Sequence, residues 1–181
     1  GYTPFDIQYT QNQGTGEGCY PSEFEGQTLE VTGIVTAVRP DQTFPNFFFQ
    51  DPSKDVWSGM FVYVNNNYIP PKAGDMVKLN GDISEYFGMT EMKNISSTTI
   101  LSNGNSIEPI TVNAASISGV CRIWVEKYEG MLVRLVNIDV TQSSNQDGQW
   151  FVSDWTGTTM IDGYMYDGDW PNPEYGTHYI S

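Results

Sequence analysis

The sequence predicts an all-β protein in which one β-unit is used twice, the second copy being incomplete. Helical periodicity is nearly absent, whereas several short runs alternate apolar and polar residues with a period of two, which is typical of half-buried strands. A segment that begins at Glu23 recurs at Lys127. We therefore expect two units in the 181 residues: an N-terminal strand with the first barrel in 1–105, and a truncated second unit in 106–181.

The first unit contains five predicted strands with turn signals between them. The clearest is Thr28–Val38, where apolar and polar residues alternate along the whole run. The others follow at Phe47–Gln50, 60–64, 76–83 and 94–101. Short strands with regular turns predict a barrel or a sandwich.

The segments of the two copies correspond in order. Each copy has an aromatic-Glu-Gly motif, a long strand, an aromatic strand ending in Asp, a turn with a third strand, and a Pro-rich connection. These segments are 24–26, 28–38, 47–51, 59–64 and 70–75, then 128–130, 132–141, 150–154, 157–165 and 171–176. Because Gly74 corresponds to Gly176, the second copy ends inside its fourth strand. A barrel left open exposes unpaired backbone groups, so we expect a longer parent chain or strands supplied from elsewhere.

Composition excludes several functions. The 8 basic against 22 acidic residues, a net charge of −14, disfavour free-standing nucleic-acid binding, which needs clustered cations. The single histidine, His178, and the absence of P-loop, HExxH and GxSxG motifs predict a protein that is not an enzyme. No apolar run of about 18 residues predicts a membrane span. No signal peptide precedes Gly1, which suits a cytosolic or a mature secreted protein.

The two cysteines favour an extracellular location. Cys19 and Cys121 lie far apart and form no CxxC motif, so we predict a disulfide between them. The alternative is a pair of buried, unpaired thiols. Scarce lysine, abundant Asn, Ser, Thr and Tyr, and the sequon that begins at Asn94 also favour secretion.

Acidic turns are the candidate metal sites. Asp51 and Asp55 flank one turn, and Asp162 lies close in sequence to Asp167 and Asp169. Calcium prefers carboxylate and loop carbonyl oxygens, so we predict a calcium site, with Asp167 and Asp169 favoured. The alternative is that these Asp side chains cap their own turns.

Five strands with a long first strand suggest the OB-fold, a small Greek-key barrel. Seven segments also resemble the OB-fold modules that accompany secreted bacterial endonuclease/exonuclease/phosphatase-type nucleases. They are CYPS at 19–22, EGQTLEVTGIVTAV at 25–38, FFQD at 48–51, WSG at 57–59, GDISEYFGMT at 81–90, EKYEGMLV at 126–133 and IDGYMY at 161–166. The resemblance covers nearly the whole chain and implies tandem OB-like barrels. The nuclease domain of those enzymes has no counterpart here, so it implies an accessory, non-catalytic part.

Aromatic residues supply the candidate ligand site. OB-folds bind single strands on strands two and three and on the loops after strands one and four. Side chains there that would stack on bases are Phe44, Tyr63, Tyr86 and Phe87. Trp57 would instead stack on a sugar face. The alternative is that these rings only pack in the core or in loops, and the scarcity of cations near them disfavours nucleic acid.

The N-terminus carries one further pattern. Phe5, Ile7 and Tyr9 alternate with polar residues and predict a strand outside both units. It would pack on its own first barrel or be donated to the open second barrel of a neighbouring molecule. Such head-to-tail donation generates filaments when it does not close.

These patterns predict a secreted, non-catalytic tandem OB-fold protein that binds a ligand or acts as a scaffold. Its partner would be itself, in a calcium-bridged homopolymer assembled through the N-terminal strand, or a fused extracellular domain. The alternatives are an accessory DNA-binding or positioning domain of a secreted nuclease, and a carbohydrate-binding module.

Overall fold

The computed structural model describes residues 1–15, 18–41, 43–65, 67–166 and 173–180. Strands dominate it, which confirms the predicted all-β class. The strands are β1 (Thr28–Val38), β2 (Phe47–Gln50), β3 (Gly59–Val62), β4 (Met76–Tyr86), β5 (Met89–Ser102), β6 (Ile110–Thr111), β7 (Val133–Arg134), β8 (Ile138–Gln142), β9 (Trp150–Asp154), β10 (Gly157–Ile161) and β11 (His178–Tyr179). The helical elements in these ranges are α1 (Pro4–Gln8), a 3₁₀ turn (Ala114–Ile117) and α2 (Ile123–Glu126). None of these helices has the length and apolarity to cross a membrane.

The first five strands close into a barrel in the order β1-β2-β3-β5-β4. β1 is antiparallel to β2 and β4, and β3 runs parallel to β5. Alternate side chains point inward, so Phe47 and Phe49 on β2 and Val77 and Leu79 on β4 are fully buried. β1 and β2 have the predicted bounds, whereas β4 and β5 extend further and form a long hairpin.

The second half forms a four-stranded sheet in the order β10-β9-β8-β11. The long strand predicted over 132–141 is wrong, because the chain divides it into β7 and β8. Asn137 lies between them with a φ of 52°, a left-handed conformation that interrupts an extended strand. β7 instead pairs in parallel with β6.

One backbone hydrogen bond occurs at equivalent positions in both halves of the chain. The Gly74 N–H donates to the Val35 carbonyl at 2.9 Å, and the Gly176 N–H donates to the Val140 carbonyl at 2.8 Å. Both glycines have a positive φ, 89° and 81°, which residues with a side chain rarely adopt. A bulge follows Val35 in β1 and Val140 in β8.

The halves meet where Gly59 of β3 lies against Gly130. A Cβ on Gly59 would overlap the carbonyl group of Gly130, so only hydrogen fits between the two backbones. Beside this contact the Trp57 N–H donates to the Lys127 carbonyl at 2.7 Å. We call this region the joint.

Two more links cross the joint. The Leu132 N–H donates to Gln50 Oε1 at 2.9 Å, so the end of β2 is tied to the start of the second half. Cys19 and Cys121 form a disulfide, which confirms the predicted pairing and ties the N-terminal segment to the chain just before α2.

The N-terminal segment is a helix, so the strand predicted from Phe5, Ile7 and Tyr9 is wrong. The Thr3 N–H donates to the Asp6 carboxylate at 2.8 Å, and a proline fills the first turn, two features that start helices. Ile7 is fully buried in the core of the first barrel. The segment therefore packs on its own barrel, and these residues do not form a strand that could be donated.

Replacing Gly59 by alanine is expected to destabilise the protein by at least about 2 kcal/mol, because the methyl group would force two backbones apart. Gly18→Ala is the control, since its Cβ would lie 3.6 Å from the nearest atom, at ordinary contact distance. Urea unfolding curves of both variants measure the difference. Equal stability of Gly59→Ala and the wild type would refute the close contact.

Removing the disulfide with the double variant Cys19→Ser, Cys121→Ser is expected to lower the free energy of unfolding by about 4–5 kcal/mol. The reason is that the bond closes a loop with a sequence separation of 102. Thermal unfolding with and without a reductant measures the effect. The reductant should lower the Tm of the wild type and leave that of the double variant unchanged.

Candidate functional site

An aromatic groove opens on the outer face of the closed barrel. It has a volume of about 630 Å³ and combines six aromatic or sulfur-containing side chains with two charged ones. We call it the aromatic groove. Its lining residues are Phe48, Phe61, Tyr63, Tyr86, Met89, Glu91, Lys93 and Tyr164.

Most residues that line the groove do so because successive side chains of a β-strand point to opposite faces of the sheet. Phe48 on β2 faces away from the core and lies opposite Phe61 on β3, with ring centroids 5.0 Å apart. On β5 the same alternation places Met89, Glu91 and Lys93 on the outer face. The groove is therefore built from outward residues of three strands, next to inward residues that fill the barrel.

The second half supplies one wall of the groove, Tyr164. Asn46 Nδ2 donates to the Tyr164 hydroxyl at 2.6 Å, while Asn46 Oδ1 accepts the Val64 N–H at 2.8 Å. The Arg39 guanidinium lies 4.3 Å from the centre of the Tyr164 ring and forms an ion pair with Asp41 at 3.1 Å. Because Asn46 is buried and bonded on both sides, it fixes the position of the ring.

Glu91 is an unusual residue in the lining of the aromatic groove. It is only 5 % exposed although it faces the groove. Burial raises the pKa of its carboxyl, and the charge of Lys93 lowers it in part. In the part of the chain that the structure describes, this carboxylate makes no hydrogen bond and no ion pair.

The structure brings two of the predicted aromatic residues into the groove. Tyr63 and Tyr86 line it, and Phe44 stacks on Tyr63 at the rim, with centroids 6.3 Å apart. Phe87 lies outside the groove, 74 % exposed, and packs edge-on against Tyr86 at 4.8 Å. Phe87 forms the hairpin turn with a positive φ of 49°, which directs it away from the strand face.

Trp57 does not have the free ring face that was predicted for sugar stacking. It is 6 % exposed and packs against Tyr9 and Tyr20, with centroids at 6.0 and 6.3 Å. Its backbone N–H donates to the Lys127 carbonyl and is part of the joint. Trp57 is therefore a packing residue, and the loop position that suggested exposure is covered by the N-terminal segment.

Sequence reasoning missed six of the lining residues. For Phe48 and Phe61 a signal existed, because each occupies an outward position between apolar inward residues. For Met89, Glu91 and Lys93 the signal was weaker, because Thr90 and Asn94 interrupt the apolar side of the strand. Tyr164 had no such signal, because its position depends on how the two halves dock.

Two of the predicted acidic residues, Asp51 and Asp162, cap their own loops. Asp51 Oδ1 accepts the Ser53 N–H at 2.8 Å, as expected for an Asp that closes its own turn. Asp162 Oδ1 accepts the Tyr164 N–H at 2.8 Å. Asp55 is exposed in the turn after Asp51.

Asp167 and Asp169, the favoured calcium ligands, lie outside the described residues. Within the described ranges, no three His, Cys, Asp or Glu side chains come together in a way that would hold a metal ion. The calcium site stays a prediction.

Two half-buried acids form a second polar cluster, at the joint. Glu129 Oε1 accepts the Thr90 N–H at 2.9 Å and the Gln8 side-chain N–H at 3.1 Å. Glu85 Oε1 accepts the Thr90 hydroxyl at 2.7 Å and the Ser22 N–H at 2.9 Å. We call this cluster the carboxyl network, and it connects α1, the hairpin and the second half.

Burial raises the pKa of Glu129 to about 8, while the hydrogen bonds from Gln8 and Thr90 lower it and the charges of Glu126 and Glu85 raise it. In the folded protein the Glu129 carboxyl therefore stays protonated up to about pH 8. In the unfolded chain, where its pKa has the ordinary value of 4.5, the same carboxyl has already lost its proton between these two pH values. Stability should fall as the pH rises through this range.

No family model matches this chain, and no curated protein matches it. The fold and the groove therefore define its class by themselves: an all-β protein with a closed five-stranded barrel, an internal disulfide and an aromatic groove on the barrel surface.

Glu129→Gln is expected to stabilise the protein by about 1–3 kcal/mol at pH 8 and to have little effect at pH 4. The amide keeps the accepting Oε1 atom and cannot ionise. Denaturation curves between pH 4 and pH 8 measure the slope, and Glu23→Gln, at an exposed position, is the control. If the free energy of unfolding changes with pH equally in the wild type and in Glu129→Gln, the pH dependence belongs to other groups.

Proposed function

We propose that this is a secreted, non-catalytic binding and scaffold protein of two OB-like units, with the aromatic groove as its ligand site. The order β1-β2-β3-β5-β4, closed by antiparallel pairing of β1 and β4, supports an OB-like first unit. The parallel pairing of β3 with β5 agrees with it.

One observation carries the proposal: the groove lies on β2, β3 and the β4–β5 hairpin. In OB-folds the face of strands two and three, with the loops after strands one and four, is the surface that binds ligands. The groove also combines a large apolar surface with a few polar groups, as ligand sites commonly do.

The second half supports the presence of two OB-like units. Its sheet order β10-β9-β8-β11 parallels β3-β2-β1-β4 of the first half, and the bonds at Val35 and Val140 are equivalent. The disulfide supports secretion, because such bonds persist in oxidising compartments.

Carbohydrate binding is the second candidate. The rings of Tyr63 and Tyr86 are 43 % and 58 % exposed, so that each offers a surface to a sugar. Single-stranded nucleic acid is less favoured, because Arg39 is paired with Asp41 and the net charge of −14 repels phosphates.

Self-assembly stays a prediction. Residues 5–9 do not supply the donated strand, since residues 4–8 are the helix α1 and Ile7 belongs to the core of its own barrel. A homopolymer would have to use another segment.

Tyr63→Ala is expected to weaken ligand binding about tenfold, since stacking of a ring on one aromatic side chain contributes roughly 1–3 kcal/mol. The probes are cellohexaose, a twelve-nucleotide oligothymidylate and an arginine amide, each titrated against the ¹⁵N-labelled protein. Tyr175→Ala, at a position 77 % exposed outside the groove, is the control. The proposal fails if no probe shifts the groove resonances, or if Tyr63→Ala and Tyr175→Ala bind equally well.

A further inference from the structure

The carboxylate of Glu91 is the acidic group of the groove, and no donor among the described residues binds it. Glu91 is 5 % exposed, lines the groove, and has neither a hydrogen bond nor an ion pair within the described residues. By contrast with Glu91, the Glu129 carboxylate in the joint receives two donors. Glu91 differs from it in a second way. Its carboxylate oxygens are open to the groove and are not sealed inside the protein, so a donor that arrives with a ligand can reach the Glu91 carboxylate and form a charge-assisted hydrogen bond.

Neither nearby cation supplies that donor. Lys93 lies two residues further along β5 on the same face, and it forms no ion pair with Glu91. Arg39 is held by Asp41 and by the ring of Tyr164. Donors to this carboxylate are therefore solvent water or a ligand that enters the groove.

The surroundings of Glu91 select the kind of donor. Five aromatic rings line the same groove, and the faces of such rings attract cations. A guanidinium group is planar, stacks on aromatic rings, and donates two parallel N–H bonds to one carboxylate. The net charge of −14 draws cationic ligands toward the protein.

We propose that the aromatic groove binds a guanidinium group, as in an arginine side chain of an extended peptide, with Glu91 as its counter-ion and the groove rings stacked on its plane. This inference rests on the proposed function of the same groove. It names a cationic peptide ligand in place of a sugar or a nucleic acid.

The test compares two ligands that differ in charge and hardly in shape. Nα-acetyl-arginine methylamide and its neutral citrulline analogue are titrated separately into the ¹⁵N-labelled full chain. We expect the arginine probe to bind at least tenfold more tightly and to shift resonances of Tyr63, Glu91 and Lys93. Added salt should reduce this preference.

Glu91→Gln should remove the preference for arginine, because the amide has nearly the same shape and no charge. Glu23→Gln, which removes one acidic charge at an exposed position, should retain it. Lys93→Gln should tighten arginine binding, since it removes the opposing cation. Thermal unfolding confirms that each variant is folded, and Glu91→Gln should be at least as stable as the wild type.

Equal binding of arginine and citrulline, or a preference that survives Glu91→Gln, would overturn the inference. Binding of the arginine probe away from the groove would overturn it as well. If cellohexaose shifts the groove resonances and the arginine probe does not, this inference fails while the proposed binding function stands. If no probe shifts them, both fail.

Discussion

The contact between the backbones of Gly59 and Gly130 is the constraint on which the rest of the structure depends. Two backbones approach so closely that neither residue can carry a side chain, which fixes where the second half begins relative to the barrel. This placement lets Glu129 reach the Thr90 N–H and lets Tyr164 reach Asn46. A joint made of close backbone contact tolerates little variation in geometry, because the polar bonds around it have short ranges.

The fold was predictable from sequence where the local pattern and the tertiary structure agree. β1 and β2 follow directly from alternation, since one face of each is buried in the barrel. Residues 5–9 show the same alternation, but five positions are too few to distinguish a strand from a short helix. The capping hydrogen bond between Thr3 and Asp6 favours the helix. The groove was only partly predictable: Tyr63 lies on a predicted strand, whereas Tyr164 enters through docking.

Glu129 and Glu91 differ in the donors that they receive. Glu129 receives donors from α1 and from the hairpin, so its carboxyl belongs to the internal packing of the protein. Glu91 is 5 % exposed on a strand face and receives no donor from the described residues. Satisfied acids of the first kind hold elements together, and a carboxylate of the second kind gives a surface groove a preferred charge.

Asn46 has a consequence beyond the shape of the groove. Its amide joins Val64 of the barrel to Tyr164 of the second half, so the wall of the groove exists only while the halves are docked. Thermodynamic linkage then makes occupancy of the groove and docking of the halves reciprocal: whatever occupies the groove against this wall must tighten the docking by the same factor. The protein would thereby convert a chemical signal at its surface into mechanical stiffness between its two units.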